Sequence, residues 1–420
     1  MTPSVTHRDT CRLCDSPRVE LAIRLAPTPI GDSYLPPERC PARPEYFPLD
    51  LVFCHDCSHL QLPDAVNPEL LFGRYIYVTS SSLGLVQHFA RQADAILERV
   101  APPAGSLVVD VGSNDGSLLR AFQARGLRGL GIDPARDIAR RATESGVETV
   151  PAFFTSGLAR ELRKKHGPAA VVTANNVFAH SDHLPDMADG VRELLAPDGV
   201  FVFEVSYLVD IVDKMLFDTV YHEHLCYHSV RPLDRFLRRH GLETADVERI
   251  PSKGGSLRVT AQLAGGPRAV SPRVRELIEL ELRLGYNRID VFKEFARRID
   301  AAKHEALKHV LGLKAQGRRL AGYGASPTVT TLLHHFDLGR HLDFLVDDNP
   351  IKHGTLSPGH RLPVFPSSAL YGRPADDVVI LAWNYAGPIV QRHPAFLERG
   401  GRFVVPLPRL RVIDRAAAAA

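Results

Sequence analysis

The chain has 420 residues, 45% of them hydrophobic, and a formal net charge of +3 from 51 basic and 48 acidic side chains. An apolar fraction of that size offsets chain entropy and excludes intrinsic disorder, while the near balance of charge argues against a dedicated nucleic-acid binder, which needs a basic excess to neutralise phosphates. At about 150 residues per domain, the length accommodates roughly three domains.

The start, Met1 to Asp9, lacks the apolar stretch of an export signal, and no apolar run reaches the roughly 18 residues of a membrane span, so a cytoplasmic protein with no membrane partner is expected. Six cysteines are too few for a disulfide scaffold in so long a chain. The first 72 residues are rich in proline and short of helical periodicity, as in Ala26-Pro-Thr-Pro-Ile-Gly and Leu35-Pro-Pro-Glu, so something other than an apolar core must hold them. Cys11-Arg-Leu-Cys14 and Cys54-His-Asp-Cys57 meet that need. Each presents two thiolates from one tight turn, and together they complete a tetrahedral shell with no open position, which predicts a structural Zn²⁺. His55 and His59 are alternative donors, and reduced buried thiols or redox pairs are the competing reading. Cys40 and Cys226 lack a spaced partner and read as small apolar residues.

From about Val78 to Pro251, short apolar runs alternate with helical stretches, the pattern of βαβ units around a parallel sheet and hence an α/β fold. Strands are expected at Leu107 to Val111, Gly129 to Asp133, Ala170 to Ala174 and Val200 to Val205. The first runs through Gly112 and Gly116 into a helix, a geometry that lets a ligand lie against backbone at a sheet's carboxyl edge. Asn114 stands where a dinucleotide fingerprint has its middle glycine and Asp110 precedes the turn, so a pyrophosphate fits poorly. A cationic cofactor bearing an amino acid group suits the turn better, and Asp133 is placed to accept hydrogen bonds from ribose hydroxyls. Further on, Tyr221, His222, Glu223, His224, Tyr227 and His228 crowd into eight positions, a density unusual for a solvated face. Two readings of His224 stand side by side: a base, or a partly buried histidine satisfied by Glu223 or a carbonyl. A metal site at His222, Glu223 and His224 is disfavoured, because adjacent residues point apart and no further ligand is suitably spaced.

From Gly254 a strand, Ser256 to Ala261, leads into a charged helical stretch from Val274 to Ala315. A second βα series begins at Arg319-Leu-Ala-Gly-Tyr-Gly, followed by a strand within Leu342 to Asn349 that ends in acids, so a third domain with its own parallel sheet is expected. His334 and His335 lie in a helical run and read as surface or core residues. Arg415 to Ala420 carries no turn or pattern signal and reads as a tail.

Asp110-x-Gly112-x-x-x-Gly116, with Asp133 after the next strand, resembles the S-adenosylmethionine site of class I methyltransferases. The resemblance places Asn114 in the same turn, and Asn175, Phe153 and Phe154 near the adenine and methionine parts. A wider set is similar to the sugar C-methyltransferases that act on nucleotide-linked 4-keto-6-deoxyhexoses: the two Cys-x-x-Cys knuckles, Tyr75-Ile-Tyr77 with Ser80-Ser-Ser, Asn175 to His180, Tyr221 to His228, Gly254-Gly-Ser-Leu-Arg258, and Asp347-Asp-Asn-Pro-x-Lys352-x-Gly354. This similarity spans almost the whole chain. It implies a zinc-binding domain at residues 1–72, a class I methyltransferase Rossmann-like core at 73–252, and a C-terminal Rossmann-like domain at 253–415 that holds the nucleotide.

The same resemblance implies S-adenosylmethionine as cofactor and a nucleotide sugar as the small-molecule partner. His224 becomes the base at the sugar C3, with Tyr221 and Glu223 helping to bind and orient. His180 and Tyr75 face the keto oxygen or the base, and Tyr77 is able to replace Tyr75. Tyr323, Gly324 and Ala325 lie near the nucleotide, and Lys253, Arg258 and Lys352 are offered to its diphosphate. The chain departs from the family at Ser326-Pro-Thr-Val-Thr-Thr, where a Lys-Gly-Asn run is common, so neutral hydroxyls replace a cation. The alternatives are an O- or N-methyltransferase with the same cofactor, or a non-catalytic zinc-bearing binding protein. Against the latter, the knuckles hold only Arg12, His55 and Asp56 instead of a basic and aromatic surface.

Overall fold

A computed structural model describes residues 4–73, 78–81 and 84–419. Among these, no helix is long and apolar enough to cross a membrane. By packing, the chain forms two units: Met1–Glu20, Phe53–Val209 and Leu225–Arg288 make the first, and Leu21–Val52, Asp210–His224 and Ile289–Ala420 make the second. The expected division at residues 72 and 252 follows chain order, and the units cut across it. The N-terminal segment has too little apolar periodicity for a core of its own, and its parts join both units.

In the first unit a seven-stranded sheet is built from β1 (Leu107–Val111), β2 (Arg128–Ile132), β3 (Thr149–Val150), β4 (Ala169–Asn175), β5 (Leu195–Ser206), β6 (Leu242–Ile250) and β7 (Ser256–Leu263), in the order β6-β7-β5-β4-β1-β2-β3. Strands β1 to β5 run parallel, and β7 is antiparallel to both β5 and β6. The strand order reverses between β1 and β4, the switch point outside which ligands of open α/β sheets bind. Ser256 to Ala261, expected at the opening of the C-terminal domain, pairs within this first sheet. The strand belongs to the first sheet, because the short connection from Ile250 to Ser256 can join only antiparallel neighbours. One face of β1, β4 and β5 is closed by helix α1 (Leu85–Val100) and the helix Ser117–Gln123, which bury Phe89, Ala93, Leu118 and Phe122 against Val108, Val171 and Val202.

The helical stretch expected from Val274 to Ala315 is two helices, Pro272–Arg283 and Asp290–Ala315. Gly285, at φ +81°, ends the first in the left-handed conformation that glycine adopts without strain. Within that first helix, Glu281 is 2% exposed. Its carboxylate accepts from the backbone N–H of Val230 at 2.6 Å and Arg231 at 3.0 Å, capping helix α2 (Val230–Arg239), and from the Tyr207 hydroxyl at 3.0 Å.

Burial pushes the Glu281 carboxyl up to about 7, above the value of about 4.3 it has in an unfolded chain. The folded state therefore holds the proton longer, and the stability so gained is present below about pH 4.3 and is lost as pH rises through about 7. A Glu281→Gln variant cannot lose that proton. Its urea midpoint is expected to fall less than the wild type's between about pH 5 and pH 8, and equal slopes in the two proteins would refute the assignment.

The second unit's sheet comprises β8 (Leu320–Tyr323), β9 (Phe344–Asp347), β10 (Val364–Pro366), β11 (Asp377–Ile380), β12 (Arg402–Val405) and β13 (Arg411–Ile413), in the order β10-β9-β8-β11-β12-β13. All pairs are parallel except β12 with β13. Helix α3 (Pro327–His335) follows β8, and Arg415–Ala419, expected as a patternless tail, is helical.

Candidate active site and metal centre

The two cysteine knuckles share one backbone device. The N–H of Asp15 donates to the carbonyl of Cys11 at 2.8 Å, and that of Ser58 to the carbonyl of Cys54 at 2.9 Å. Asp15 and Ser58 sit at φ 58° and 73°, so each turn folds its two sulfurs to the same side. Cys11 Sγ lies 3.5 Å from Cys57 Sγ and Cys14 Sγ 3.6 Å from Cys54 Sγ, and the four sulfurs fall within 4.8 Å of one another. A tetrahedral zinc with bonds of about 2.3 Å sets its sulfurs about 3.8 Å apart, so the quartet fits a closed structural site. The thiols share their protons, so hydrogen bonds from Cys11 and Cys57 hold Cys54 low while Cys11 and Cys57 are held high. His55 is paired with Glu20 at 2.9 Å, and neither His55 nor His59 joins the cluster among the described residues. Arg12 is fully buried, with its Nε on Asp182 at 2.8 Å, and serves the fold of the knuckle.

At the switch point, β1 ends in Asp110 and Val111 and the chain turns through Gly112, Asn114 and Gly116 at φ 71°, 49° and 77°. A Cβ on Gly112 would stand 2.4 Å from Val177 Cγ2 and one on Gly116 2.9 Å from Val147 Cγ1, so both positions need glycine for space as well as conformation. Asp133, the first residue past β2, accepts from the N–H of Asn114 at 2.8 Å and of Ala135 at 2.9 Å. The same turn holds the segment Thr79–Ser81: the Asn114 side chain accepts from Thr79 N–H at 2.8 Å and Asp115 from Ser80 N–H at 2.9 Å. Asp110 accepts from the Thr173 hydroxyl at 2.6 Å. Burial pushes its carboxyl up to about 7, with the charge of Asp133 adding to the rise.

A desolvated acid at this edge fits a cofactor that carries a cation, and Asp133 retains acceptor capacity beyond its two backbone donors. An Asp133→Ala variant is expected to bind S-adenosylhomocysteine about tenfold to a hundredfold more weakly by calorimetry. Unchanged affinity would remove Asp133 from the site. Phe153 is 36% exposed, whereas Phe154 is 9% exposed and packs on Gly190.

Sequence reasoning did not single out the residues that hold Asn175. Its amide forms a reciprocal pair with Gln92 of α1, at 2.9 and 3.0 Å. The next strand places Glu204 in register with Asn175, and one helical turn before Gln92, His88 reaches Glu204 at 2.8 Å. The available signal was a polar Gln92 set between the apolar positions Phe89, Ala93 and Ile96. His180, after β4, stacks its ring on Phe72 at 5.8 Å. Tyr75 and Tyr77 lie outside the described residues.

Tyr221, Glu223 and His224 belong to the second unit. His224 Nδ1 lies 2.8 Å from the carbonyl of Thr219, and its ring centroid 4.0 Å from that of Tyr221. Glu223 is 5% exposed and His222, bonded to the carbonyl of Phe47 at 3.2 Å, 1% exposed. His335 is a core residue whose Nδ1 accepts from Ala26 N–H at 3.1 Å.

Arg258 and Lys352, both expected at the phosphates, hold carboxylates. Arg258, in the first unit, clasps Glu204 at 2.7 and 2.8 Å, and Lys352, in the second, holds Asp32 at 2.6 Å beneath the ring of Tyr34. Lys253 is exposed at φ 51°. At the end of β8, Tyr323 is bonded to Asp348 at 2.9 Å and His393 at 3.1 Å, and in the turn that follows Ala325 N–H donates to Asp347 at 2.7 Å. A Cβ on Gly324 would meet Ala382 and Val329 at 3.0 Å, so this glycine serves packing of its own chain. The hydroxyls that replace the family's cation are structural: Ser326 caps α3, and Thr330 donates to the carbonyl of Gly31 at 2.7 Å.

Three family models match successive parts of the chain: a zinc binding domain at residues 11–72, a methyltransferase domain at 86–247 and a C-methyltransferase C-terminal domain at 251–408. The C-methyltransferase NovU of Streptomyces niveus is 37% identical over 407 residues, covering 97% of each chain. Among solved structures, the 1,6-didemethyltoxoflavin-N1-methyltransferase of Burkholderia thailandensis, bound to 1,6-didemethyltoxoflavin and S-adenosylhomocysteine, is 24% identical, covers 42% of this chain and 78% of its own, and has a TM-score of 0.32. The PH0226 protein of Pyrococcus horikoshii OT3 is 14% identical, covers 44% of this chain and 94% of its own, and has a TM-score of 0.36.

Proposed function

We propose, from the premise that the chain belongs to the S-adenosylmethionine-dependent C-methyltransferases, that its acceptor is the carbon beside the keto group of a nucleotide-linked 4-keto-6-deoxyhexose and that His224 is the base that activates it. A carbon acceptor differs from oxygen or nitrogen in having no lone pair. Its C–H must first lose a proton, and the carbonyl beside it makes that loss accessible by spreading the charge as an enolate.

The observation that supports His224 is the bond from its Nδ1 to the carbonyl of Thr219. A carbonyl only accepts, so Nδ1 carries the proton and Nε2 the lone pair, the tautomer that a base requires. Tyr221, ring to ring with His224, orients the imidazole, and Glu223, its buried neighbour in sequence, helps to bind and orient. S-adenosylmethionine, when bound, supplies an electrophilic methyl group on a sulfonium centre. Asp133, with the turn from Gly112 to Gly116, holds its nucleoside, while the Asp110 carboxylate and Asn175 serve the amino acid end. The zinc has no part in the reaction, since four thiolates fill its shell. Four thiols kept available to a metal suit the cytoplasm.

The test is isotope exchange. Thymidine diphosphate 4-keto-6-deoxyglucose incubated with the enzyme in deuterated water, without S-adenosylmethionine, is expected to take up deuterium at C3. Turnover of this compound without such uptake would overturn enolisation and favour methyl transfer to oxygen.

A further inference from the structure

We infer that Trp383, Asp218 and Thr331 are positioning residues for the His224 imidazole, holding its loop at the carboxyl edge of the second sheet; the inference rests on the reading of His224 as the base. The strand order of that sheet reverses between β8 and β11, and the crevice beyond such a reversal is where open α/β sheets usually receive a ligand. Here the helix that follows β8 and the turn that follows β11 grip a piece of the chain itself. Trp383, in the turn after β11, donates its indole N–H to Asp218 at 2.8 Å, and Thr331 of α3 donates its hydroxyl to the carbonyl of Val220 at 2.7 Å. All three groups are buried, Asp218 and Thr331 at 2% and 1% exposure. Phe217, fully buried, stacks on Phe336 with centroids 5.1 Å apart.

The residue between the two grips is Thr219, and its carbonyl is the one that accepts from His224 Nδ1. The peptide units on both sides of that carbonyl are therefore fixed, one through the Asp218 side chain and one through the Val220 oxygen. Fixing the carbonyl fixes the ring's direction and its tautomer together. A base displaced by about an ångström loses much of its effect, so loosening either grip is expected to appear in the chemical step and not in binding.

The test compares Trp383→Phe, Asp218→Ala and Thr331→Val with the conservative partners Asp218→Asn and Thr331→Ser, which keep an acceptor and a donor. With thymidine diphosphate 4-keto-6-deoxyglucose, the first three are expected to lose about tenfold or more in kcat and in C3 exchange while KM stays within about twofold, and the conservative pair to recover most of the loss. Nitrogen NMR of the His224 ring, which needs no substrate, is expected to show one Nδ1–H tautomer in the wild type and a mixture in the loosened variants. Folded Trp383→Phe and Thr331→Val proteins that keep the single tautomer and the wild-type kcat overturn the inference; should Trp383→Phe fail to fold, the Thr331 pair decides. A His224→Ala enzyme that still exchanges at the wild-type rate would instead overturn the base assignment, whatever the grip variants do.

Discussion

Replacing His224 with alanine is expected to lower kcat by about a hundredfold to ten-thousandfold, the range that loss of a positioned general base produces. Deuterium uptake at C3 should fall with it, because proton removal precedes carbon–carbon bond formation. Affinity for S-adenosylhomocysteine should stay at the wild-type level, since the residues assigned to the cofactor, from Asp110 to Asn175, belong to the other unit. Added imidazole is expected to restore part of the exchange by filling the space the side chain left. A variant with normal exchange would remove His224 from the reaction. A variant that has lost cofactor affinity as well would show that the substitution damaged the fold and not the base alone.

Removing the metal should produce the largest change in stability. A Cys54→Ser enzyme, or wild type treated with a strong chelator, is expected to melt roughly 10 °C lower, because loss of a structural metal is among the few changes that cost more than about 4 kcal/mol. The Pro-rich segment around the knuckles lacks the helical periodicity that would otherwise hold it, and the four sulfurs would then face one another without a cation. At a temperature where the variant is still folded, kcat should be nearly that of the wild type, because no position on the zinc is open to substrate. Elemental analysis is expected to find one zinc per chain. A zinc-free chain with an unchanged melting temperature would refute the site.

Much of this was legible in the residues because it depends on local constraints. Gly112 and Gly116 announce a turn that no other side chain fits, and the knuckles announce themselves by spacing. The strand at Ser256 to Ala261 was legible as a strand but its sheet partner was not, because Leu242–Ile250 mixes Glu243, Asp246, Glu248 and Arg249 with its apolar residues and gives no clean alternation. Polar partnerships across the fold left still less trace. Nothing near Asn175 points to Gln92, and nothing near Asp218 points to Trp383. Such pairs are specified by three-dimensional packing and have no period to read.

The grip on the histidine loop has a consequence for biosynthesis. The bond from Trp383 to Asp218 spans 165 residues and that from Thr331 to Val220 spans 111. At ribosomal rates of about 5–20 residues per second, the loop waits roughly 8–33 seconds after its own synthesis before its last partner exists. On the proposed reading, a chain released short of Trp383 carries the complete zinc knuckles and cofactor turn in its sequence but lacks one grip on the histidine loop, and it is expected to enolise its substrate more slowly.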